Sequence, residues 1–277
     1  MEGQSVGHSR ILPRLFLVLM CLVYFMPFFQ MITTSLKGSK ELMLIPPTVF
    51  AMHPVWSNYV DAVRYIPFGL FLANSLVITA GVTVGAVFSN SFIAYGFSRI
   101  QWKGRESLFY LALSTMFIPF PVTIVALFDI FAKLHWVNTF LPIIVPAFFG
   151  QAFYIFLMRQ FLLGLPQELS DAAFIDGANE LQIFRRIILP LMKPSIAVVA
   201  IFAGVNAWND FLTPLLYLHN EELYPLSIGL QFFRSEHNVA YSLLMAASTL
   251  VVLPVIAIFL SFQRFFVEGA TVGSLKG

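Results

Sequence analysis

The stretch DAAFIDGANELQIFRRIILP, residues 171–190, carries five charged side chains in a chain of 277 residues that is 58% hydrophobic and only 11% charged. About a quarter of the residues of an ordinary soluble domain are charged. The chain therefore has the composition of a membrane protein, and residues 171–190 interrupt it. We interpret them as a connection in water between two membrane spans.

Apolar windows long enough to cross a bilayer core, which takes roughly 20 helical residues, occur on both sides of this stretch. They predict spans at about residues 15–32, 68–97, 108–131, 140–163, 196–218 and 241–262. The sequence thus predicts an all-α membrane protein with six transmembrane helices, in a single domain over residues 1–277. The first window is too long for a signal-peptide core and no small-residue cleavage site follows it, so we expect this span to be retained.

The basic residues predict the orientation, because short loops rich in lysine and arginine stay in the cytoplasm. Of the 16 lysines and arginines, five fall on one side: Lys37, Lys40, Arg64, Lys133 and Arg234. The other eleven fall on the side that holds both termini and residues 164–195, which places these in the cytoplasm. The net charge of +2 then follows from topology and indicates no nucleic-acid partner. Arg159, near a helix end, is expected to extend to the lipid headgroups.

Residues 164–195, here named the connecting segment, are predicted to form a short helix–turn–helix. Residues 165–168 favour a helix start, because proline fits the first turn and glutamate suits the positive end of the helix dipole. Gly177, after an aspartate, predicts a turn. A second helix begins at Asn179, which forms a capping box with Gln182, and it runs to Pro190.

Both helices of the connecting segment are amphipathic. In the first helix Leu169, Ala172 and Ala173 share one face. The second helix turns its two arginines away from an apolar stripe formed by Ile183, Phe184, Ile187 and Ile188. Such a pair can lie on lipid headgroups, pack under its own helices or insert into a groove of a soluble partner. Helix periodicity does not choose among the three.

The same stretch resembles the signature of the inner-membrane permease subunits of ABC importers, which is Glu-Ala-Ala, three residues, Gly, nine residues, Ile, one residue, Leu-Pro. The chain keeps every spacing and has aspartate for glutamate: Asp171-Ala172-Ala173, Gly177, Ile187 and Leu189-Pro190. The stretches at 116–128 (MFIPFPVTIVALF) and 207–218 (AWNDFLTPLLYL) resemble the carbohydrate-uptake branch of the maltose-permease type. So does the C-terminal region, with the pattern Gly269, Gly273, Lys276 and Gly277.

This resemblance implies the type I ABC importer permease fold, of the MetI-like class, in the cytoplasmic membrane of a prokaryote. It implies three kinds of protein partner, besides membrane lipid: a second homologous permease, two copies of a cytoplasmic ATPase, and an extracytoplasmic sugar-binding protein. It assigns coupling to the ATPases to Glu168, Asp171, Ala172, Ala173, Gly177, Ile187, Leu189 and Pro190. A second contact with the ATPases is assigned to the tail residues Gly273, Lys276 and Gly277.

The chain is not expected to be an enzyme. It lacks a Gly-x-x-x-x-Gly-Lys-Ser/Thr loop for ATP phosphates, so ATP and magnesium are expected on the partner ATPases, with no cofactor in this chain. Its histidines and carboxylates show no metal-ligand spacing, and no metal site is predicted. Cys21, the only cysteine, cannot form an internal disulfide.

Polar side chains within spans are costly and face a cavity or a neighbouring helix. Amides and aromatic rings hold uncharged sugars, so a translocation path is predicted at Gln151, Asn206, Trp208 and Asn209. Interhelical hydrogen bonds that serve assembly alone are the alternative for each of them.

Two other functions compete with sugar import. A permease for a polyol or a glycerophosphodiester remains open. An ion-coupled secondary transporter is remote, because such proteins usually need carboxylates at mid-membrane, and only Asp210 is placed deep in a predicted span.

Overall fold

The structure, a computed structural model, describes residues 11–234 and 240–274, with side chains for 13–234 and 240–260. Every regular element in this part of the chain is helical. The first α-helices in chain order are α1 (Ile11–Ser35), α2 (Ser39–Leu42), α3 (Ser57–Tyr65), α4 (Phe68–Ser98), α5 (Arg105–Ser114), α6 (Phe120–Lys133), α7 (Leu141–Ile144) and α8 (Ala152–Leu163). They are followed by α9 (Glu168–Ile175), α10 (Glu180–Ile183), α11 (Leu189–Leu191), α12 (Lys193–Asn209), α13 (Leu212–Tyr217), α14 (Leu226–Gly229) and α15 (Tyr241–Ser274). Tighter 3-10 turns lie at Thr115–Phe117, Val145–Phe149, Glu221–Leu223 and Leu230–Phe233, and a wider π-helix at Phe184–Ile188.

Four helices of the described residues are long and apolar enough to cross a membrane: Pro13–Ser35, Phe68–Ser98, Leu141–Leu163 and Tyr241–Leu260. The number rises to as many as six when each of two sharply bent helix pairs counts as one span. The six predicted windows are therefore present as apolar helices, but three of them are not single regular helices. One of the three is the window 140–163, which is divided where Gly150 and Gln151 have non-helical backbone between the turn Val145–Phe149 and α8.

The window 108–131 is not one straight helix. Helical structure stops at Phe117, resumes at Phe120, and the axis turns by 99° between the two parts. Pro119 causes the break, since proline disfavours the helical conformation in the residue before it, and Ile118 is accordingly extended at φ −84° and ψ 111°.

The window 196–218 is also interrupted. α12 ends at Asn209, and Asp210 is extended at ψ 119°. The Asp210 carboxylate accepts a hydrogen bond from the amide of Thr213 at 3.1 Å, and so it caps the start of α13. At its other end α12 meets the helical run Glu180–Leu191 at an angle of 75°.

The described residues fall into two compact units. The first comprises 11–68, 230–234 and 240–253. Here the connection after α1 is ordered by its own polar groups: Asn58 donates to the carbonyls of Ser35 and Lys37 at 2.7 and 3.1 Å. The Glu41 carboxylate accepts from the Thr48 hydroxyl at 2.8 Å and from the Met52 amide at 2.9 Å.

The second unit comprises 69–229 and 254–274. Its core joins α4, α8, the connecting segment and α12, and the fully buried side chains there include Met158, Leu162, Ile183, Ile188 and Met192. α4 packs closely on the turn Val145–Phe149, because a Cβ atom built on Gly85 would lie 2.6 Å from the Phe148 ring. This unit holds nearly all of the residues singled out by the sequence.

Candidate functional site

The connecting segment folds as the helix–turn–helix that the sequence predicts. Gly177 makes the turn at φ +81°, a left-handed conformation that glycine adopts without strain. The capping box is confirmed: Asn179 Oδ1 accepts from the Gln182 amide and Gln182 Oε1 from the Asn179 amide, both at 2.9 Å. The turn and the second helix start are therefore determined locally.

The ends of the two helices differ from the prediction. α9 begins at Glu168, with Pro166 ahead of the helix rather than in its first turn. The second helix is α-helical only to Ile183 and then widens into the π-helix Phe184–Ile188 before α11. Pro190 has no amide hydrogen to donate to a carbonyl of the preceding turn, which removes one bond of a regular α-helix at this point.

The apolar stripe of the second helix packs against the chain itself. Ile183, Phe184 and Ile188 are buried, whereas Arg185 and Arg186 are exposed. The Phe184 ring lies 4.5 Å from the ring of Phe92 and 5.1 Å from that of Tyr95, centroid to centroid. The apolar stripe of the second helix therefore packs under its own bundle, which is one of the three alternatives for the helix pair.

The three residues predicted to share one face of the first helix differ in their exposure. Ala173 is buried, and Leu169 and Ala172 are exposed. Three further apolar side chains near the Asp-Gly turn, which the sequence did not single out, are also exposed: Phe174, Ile175 and Leu181. Ile175 has 87% of its surface exposed. Their position before and after the Asp-Gly turn was the available signal, because a turn leaves its flanking side chains uncovered.

The other predicted coupling residues lie along the same segment. Glu168, Asp171 and Pro190 are exposed, whereas Ile187 and Leu189 are partly buried beside the core. The tail is a separate case: Gly273 falls near the C-terminal end of α15, and Lys276 and Gly277 lie outside the described residues.

Arg99, which directly follows α4, binds the chain where α8 ends and the connecting segment begins. Its Nη2 donates to the carbonyls of Leu162 and Leu165 at 2.7 and 2.9 Å. Its Nη1 donates to the Pro166 carbonyl and the Gln167 side chain at 3.1 and 3.0 Å. Burial lowers the pKa of the Arg99 guanidinium, and Tyr95 and nearby carboxylates act in the opposite direction.

Arg159 does not extend to the headgroups as predicted. It is 7% exposed, and its guanidinium binds the Glu106 carboxylate at 2.7 and 2.8 Å. It also donates to the Phe97 carbonyl at 3.0 Å and lies 4.1 Å above the Phe109 ring. A charged partner within reach on α5 makes burial of this side chain favourable, and local sequence does not reveal that partner.

A cavity of about 840 Å³ lies among α6, the turn 145–149, α8, α12 and α13. Its polar lining consists of Gln151, Tyr154, Asn206, Asn209, Asp210 and Thr213. Aliphatic side chains and five aromatic ones line the remainder; the aromatic residues are Phe120, Phe131, Trp136, Phe149 and Tyr217. The space is large enough for a drug-sized ligand, and its lining mixes hydrogen-bonding groups with ring faces.

Three of the four predicted path residues line this cavity. Gln151 is held through its backbone amide, which donates to Asn90 Oδ1 at 2.8 Å, and Asn206 Nδ2 donates to the Tyr154 hydroxyl at 3.2 Å. Asn209 lines it as well, whereas Trp208 is buried and does not. The structure thus brings the three amides together and leaves the indole apart.

Within the residues that the structure describes, no three His, Cys, Asp or Glu side chains are grouped as a metal-binding set. Two features of the described residues are candidates for a functional role. They are the polar groups of the cavity and the exposed apolar side chains of the connecting segment.

Comparison with known proteins agrees with these features. Residues 78–271 match the family described as "Binding-protein-dependent transport system inner membrane component". The chain is 38% identical over 272 residues to the arabinooligosaccharides transport system permease protein AraQ of Bacillus subtilis (strain 168), covering 97% of this chain and 96% of that protein. It is 30% identical to the melibiose/raffinose/stachyose import permease protein MelC of the same strain, over the full length of both.

Two further similarities extend the comparison. The sulfoquinovosyl glycerol transport system permease protein SmoH of Agrobacterium fabrum is 30% identical over 91% of this chain and 88% of its own. The fold matches, with a TM-score of 0.81 and 22% identity, a chain of a crystal structure of a bacterial ABC transporter that imports the acidic polysaccharide alginate. The match covers 96% of this chain and 99% of that one. This chain is a membrane protein of the family of binding-protein-dependent transport system inner membrane components, a permease subunit of an ABC importer.

Proposed function

We propose that this permease moves a sugar or oligosaccharide inward, and that its connecting segment couples this movement to ATP hydrolysis on partner subunits. The proposal rests on one observation: the connecting segment has a buried face and an exposed apolar face. One helix packs into the core of the permease while Leu169, Ala172, Phe174 and Ile175 remain exposed. A segment anchored on one face and uncovered on the other suits insertion into a groove of a soluble partner.

We infer the complete assembly from the family. It contains a second homologous permease, two copies of a cytoplasmic ATPase and an extracytoplasmic sugar-binding protein. ATP and magnesium belong to the ATPases, and this chain has no cofactor or ATPase site of its own. The relatives AraQ and MelC match this chain over nearly their full lengths, which supports a single permease domain over residues 1–277.

Coupling requires two conformations that contact the partner differently. ATP-driven closure of the ATPases would displace Glu168, Asp171, Ala172 and Gly177 together, because they belong to one short helix and its turn. The second helix would carry the displacement into the bundle, since its buried stripe packs on α4. The tail residues Gly273, Lys276 and Gly277 add a second contact with the ATPases in this proposal.

For the translocation path we propose the cavity that contains Gln151, Asn206 and Asn209. Sugars present many hydroxyl groups, and the amides offer both donors and acceptors. The aromatic side chains around them supply faces on which a sugar ring stacks. Trp208, a buried residue of α12, is then a supporting residue rather than a lining residue.

One other solute class has a specific observation in its favour. The relative SmoH is named for a sugar linked to glycerol, so a glycerol-bearing solute such as a glycerophosphodiester is the second candidate, together with free polyols. The ion-coupled transporter stays the remote alternative, because Asp210 is the one carboxylate among the residues that line this cavity, and one of its oxygens accepts a hydrogen bond from the Thr213 amide.

The experiment is co-purification of the tagged permease, followed by reconstitution of the complex in proteoliposomes. ATP hydrolysis and uptake are measured with the binding protein and a panel of arabino-oligosaccharides, raffinose, a sulfoquinovosyl glycerol and a glycerophosphodiester. Stimulation by an oligosaccharide supports the proposal. A tagged chain that purifies alone, with no solute that stimulates hydrolysis, contradicts it.

A further inference from the structure

Arg99 occupies an unusual place for a charged side chain. It is 7% exposed, and four acceptors of the α8–α9 junction surround its guanidinium at 2.7–3.1 Å. Three of these acceptors are backbone carbonyls: that of Leu162 in the last turn of α8, and those of Leu165 and Pro166 in the connection between α8 and α9. One side chain from the end of α4 thus holds the start of the connecting segment.

Arg159 makes the reciprocal connection. It starts from α8 and reaches back to the carbonyl of Phe97, at the end of α4, and to Glu106 in the first turn of α5. The two arginines therefore cross between the same helices in opposite directions. Charge-assisted hydrogen bonds of this kind are stronger than neutral ones.

A third connection lies further along the segment. Tyr95 lies one helical turn before Arg99, and its hydroxyl donates to the Glu180 carboxylate at 2.5 Å. The Phe184 ring packs on Phe92 and Tyr95. The connecting segment is therefore attached to α4 at its beginning and again in its second helix.

The opposite junction, between the segment and α12, is built differently. It consists of the π-helix Phe184–Ile188, the short α11 and a bend of 75°. Pro190 and Pro194 remove two backbone donors there. Helix kinks concentrate at prolines and π-turns, so this junction is the more easily deformed of the two.

We propose that Arg99 is a positioning residue for coupling: it holds residues 164–184 of the connecting segment to α4 and α8 as one rigid body, so that bending is confined to residues 185–193. The inference rests on the proposed coupling function, because the moving body is the part that would contact the ATPases. An arginine that only stabilises the fold would affect stability and yield, but it would not change how much ATP is used per solute moved.

The first experiment measures distances in the assembled complex. Spin labels are placed at Asp176 and Gln160 in one sample and at Asp176 and Ala200 in another, after Cys21→Ser. Between nucleotide-free and ATP-trapped states, the 176–160 distance should stay constant and the 176–200 distance should change. Equal changes in both pairs would overturn the proposal, and this test needs no substitution of Arg99.

The second experiment measures ATP hydrolysed per solute transported for Arg99→Lys. Lysine keeps the charge but lacks the planar fork that reaches several acceptors. We expect the ratio to rise at least about fivefold, the lower end of allosteric coupling factors, and the 176–160 distribution to broaden. Lys103→Gln is the matched control, because it removes an exposed charge from the same connection, and it should leave the ratio unchanged.

The outcomes separate the two hypotheses. If the parent complex shows no ATP-dependent uptake, the proposed function fails. If the parent is coupled and Arg99→Lys keeps the parental ratio and a sharp 176–160 distance, only the role of Arg99 fails. Crosslinking of Asp176→Cys to the ATPase subunit verifies that the Arg99→Lys complex is still docked.

Discussion

The turn of the connecting segment depends on the backbone conformation of Gly177. Its φ of +81° is strained for any residue with a Cβ, yet no atom lies within 4 Å of a Cβ built there. Substitution therefore tests conformation rather than space. We expect uptake per ATP to fall in the order Gly, Asn, Ala, Pro. Asparagine tolerates this region of backbone conformation, and for alanine the left-handed conformation costs roughly 1–2 kcal/mol. Proline cannot adopt it, because its ring holds φ at about −65°.

Gly104 provides the control for this series. It has φ +88° and equally open surroundings, in the connection before α5. Gly104→Ala should lower thermal stability about as much as Gly177→Ala and leave uptake per ATP unchanged. Wild-type coupling in Gly177→Pro would contradict the role given to the turn.

The lowered pKa of Glu41 predicts that the stability of the connection after α1 depends on pH. Hydrogen bonds from the Met52 amide and the Thr48 hydroxyl, together with the charge of Lys37, hold the pKa of the Glu41 carboxyl below its ordinary value. A lowered pKa stabilises the folded loop above the ordinary value, and this stabilisation is lost as the pH falls through the folded-state pKa. Hydrogen exchange at Met52, corrected for intrinsic rates, should therefore accelerate below about pH 4. Glu41→Gln should remove this pH dependence, and unchanged protection of Met52 in acid would show the carboxylate to be irrelevant.

At the scale of elements, two glycines of α4 make a matched pair. A Cβ at Gly85 would meet the Phe148 ring at 2.6 Å, whereas one at Gly96 would meet no atom within 4 Å. Gly85→Ala should destabilise by about 1–3 kcal/mol through overpacking. Gly96→Ala should be neutral or stabilise by up to about 1 kcal/mol through helix propensity. Thermal unfolding of the two purified variants decides the point, and equal melting temperatures would mean that α4 and the 145–149 turn do not pack as closely as described.

The elements also show what sequence can and cannot predict. The capping box at Asn179 and the buried face of the second helix were predictable, because both depend on residues within one or two turns. The 99° break at Pro119 was not, since a proline marks a weak point without giving an angle. The bond between Arg159 and Glu106 joins residues 53 positions apart, and local pattern carries no information on such a pairing. The same limit applies to the cavity: the sequence singles out its three amides, Gln151, Asn206 and Asn209, but it does not reveal that Trp208 lies outside the lining.

At the scale of the whole molecule, the distribution of basic residues gives a testable topology. Eleven lysines and arginines on one side against five on the other predict that both termini and the connecting segment lie in the cytoplasm. Reporter fusions should be fluorescent as GFP after Lys103 and Gly277, and active as alkaline phosphatase after Asn220. Phosphatase activity after Lys103 would invert the orientation and remove the connecting segment from any cytoplasmic ATPase.

The exposed side chains of Phe174 and Ile175 have a consequence for the life of the subunit in the cell. In a permease that is not bound to its ATPase, these two side chains would be exposed to water. Chaperones and quality-control proteases bind exposed apolar groups of this kind. We expect such orphan copies to be short-lived, so that subunit numbers are balanced by turnover after synthesis. Pulse–chase labelling in cells without the ATPase should show rapid decay, slowed by Ile175→Ser; equal half-lives would argue that another surface marks the orphan chain for degradation.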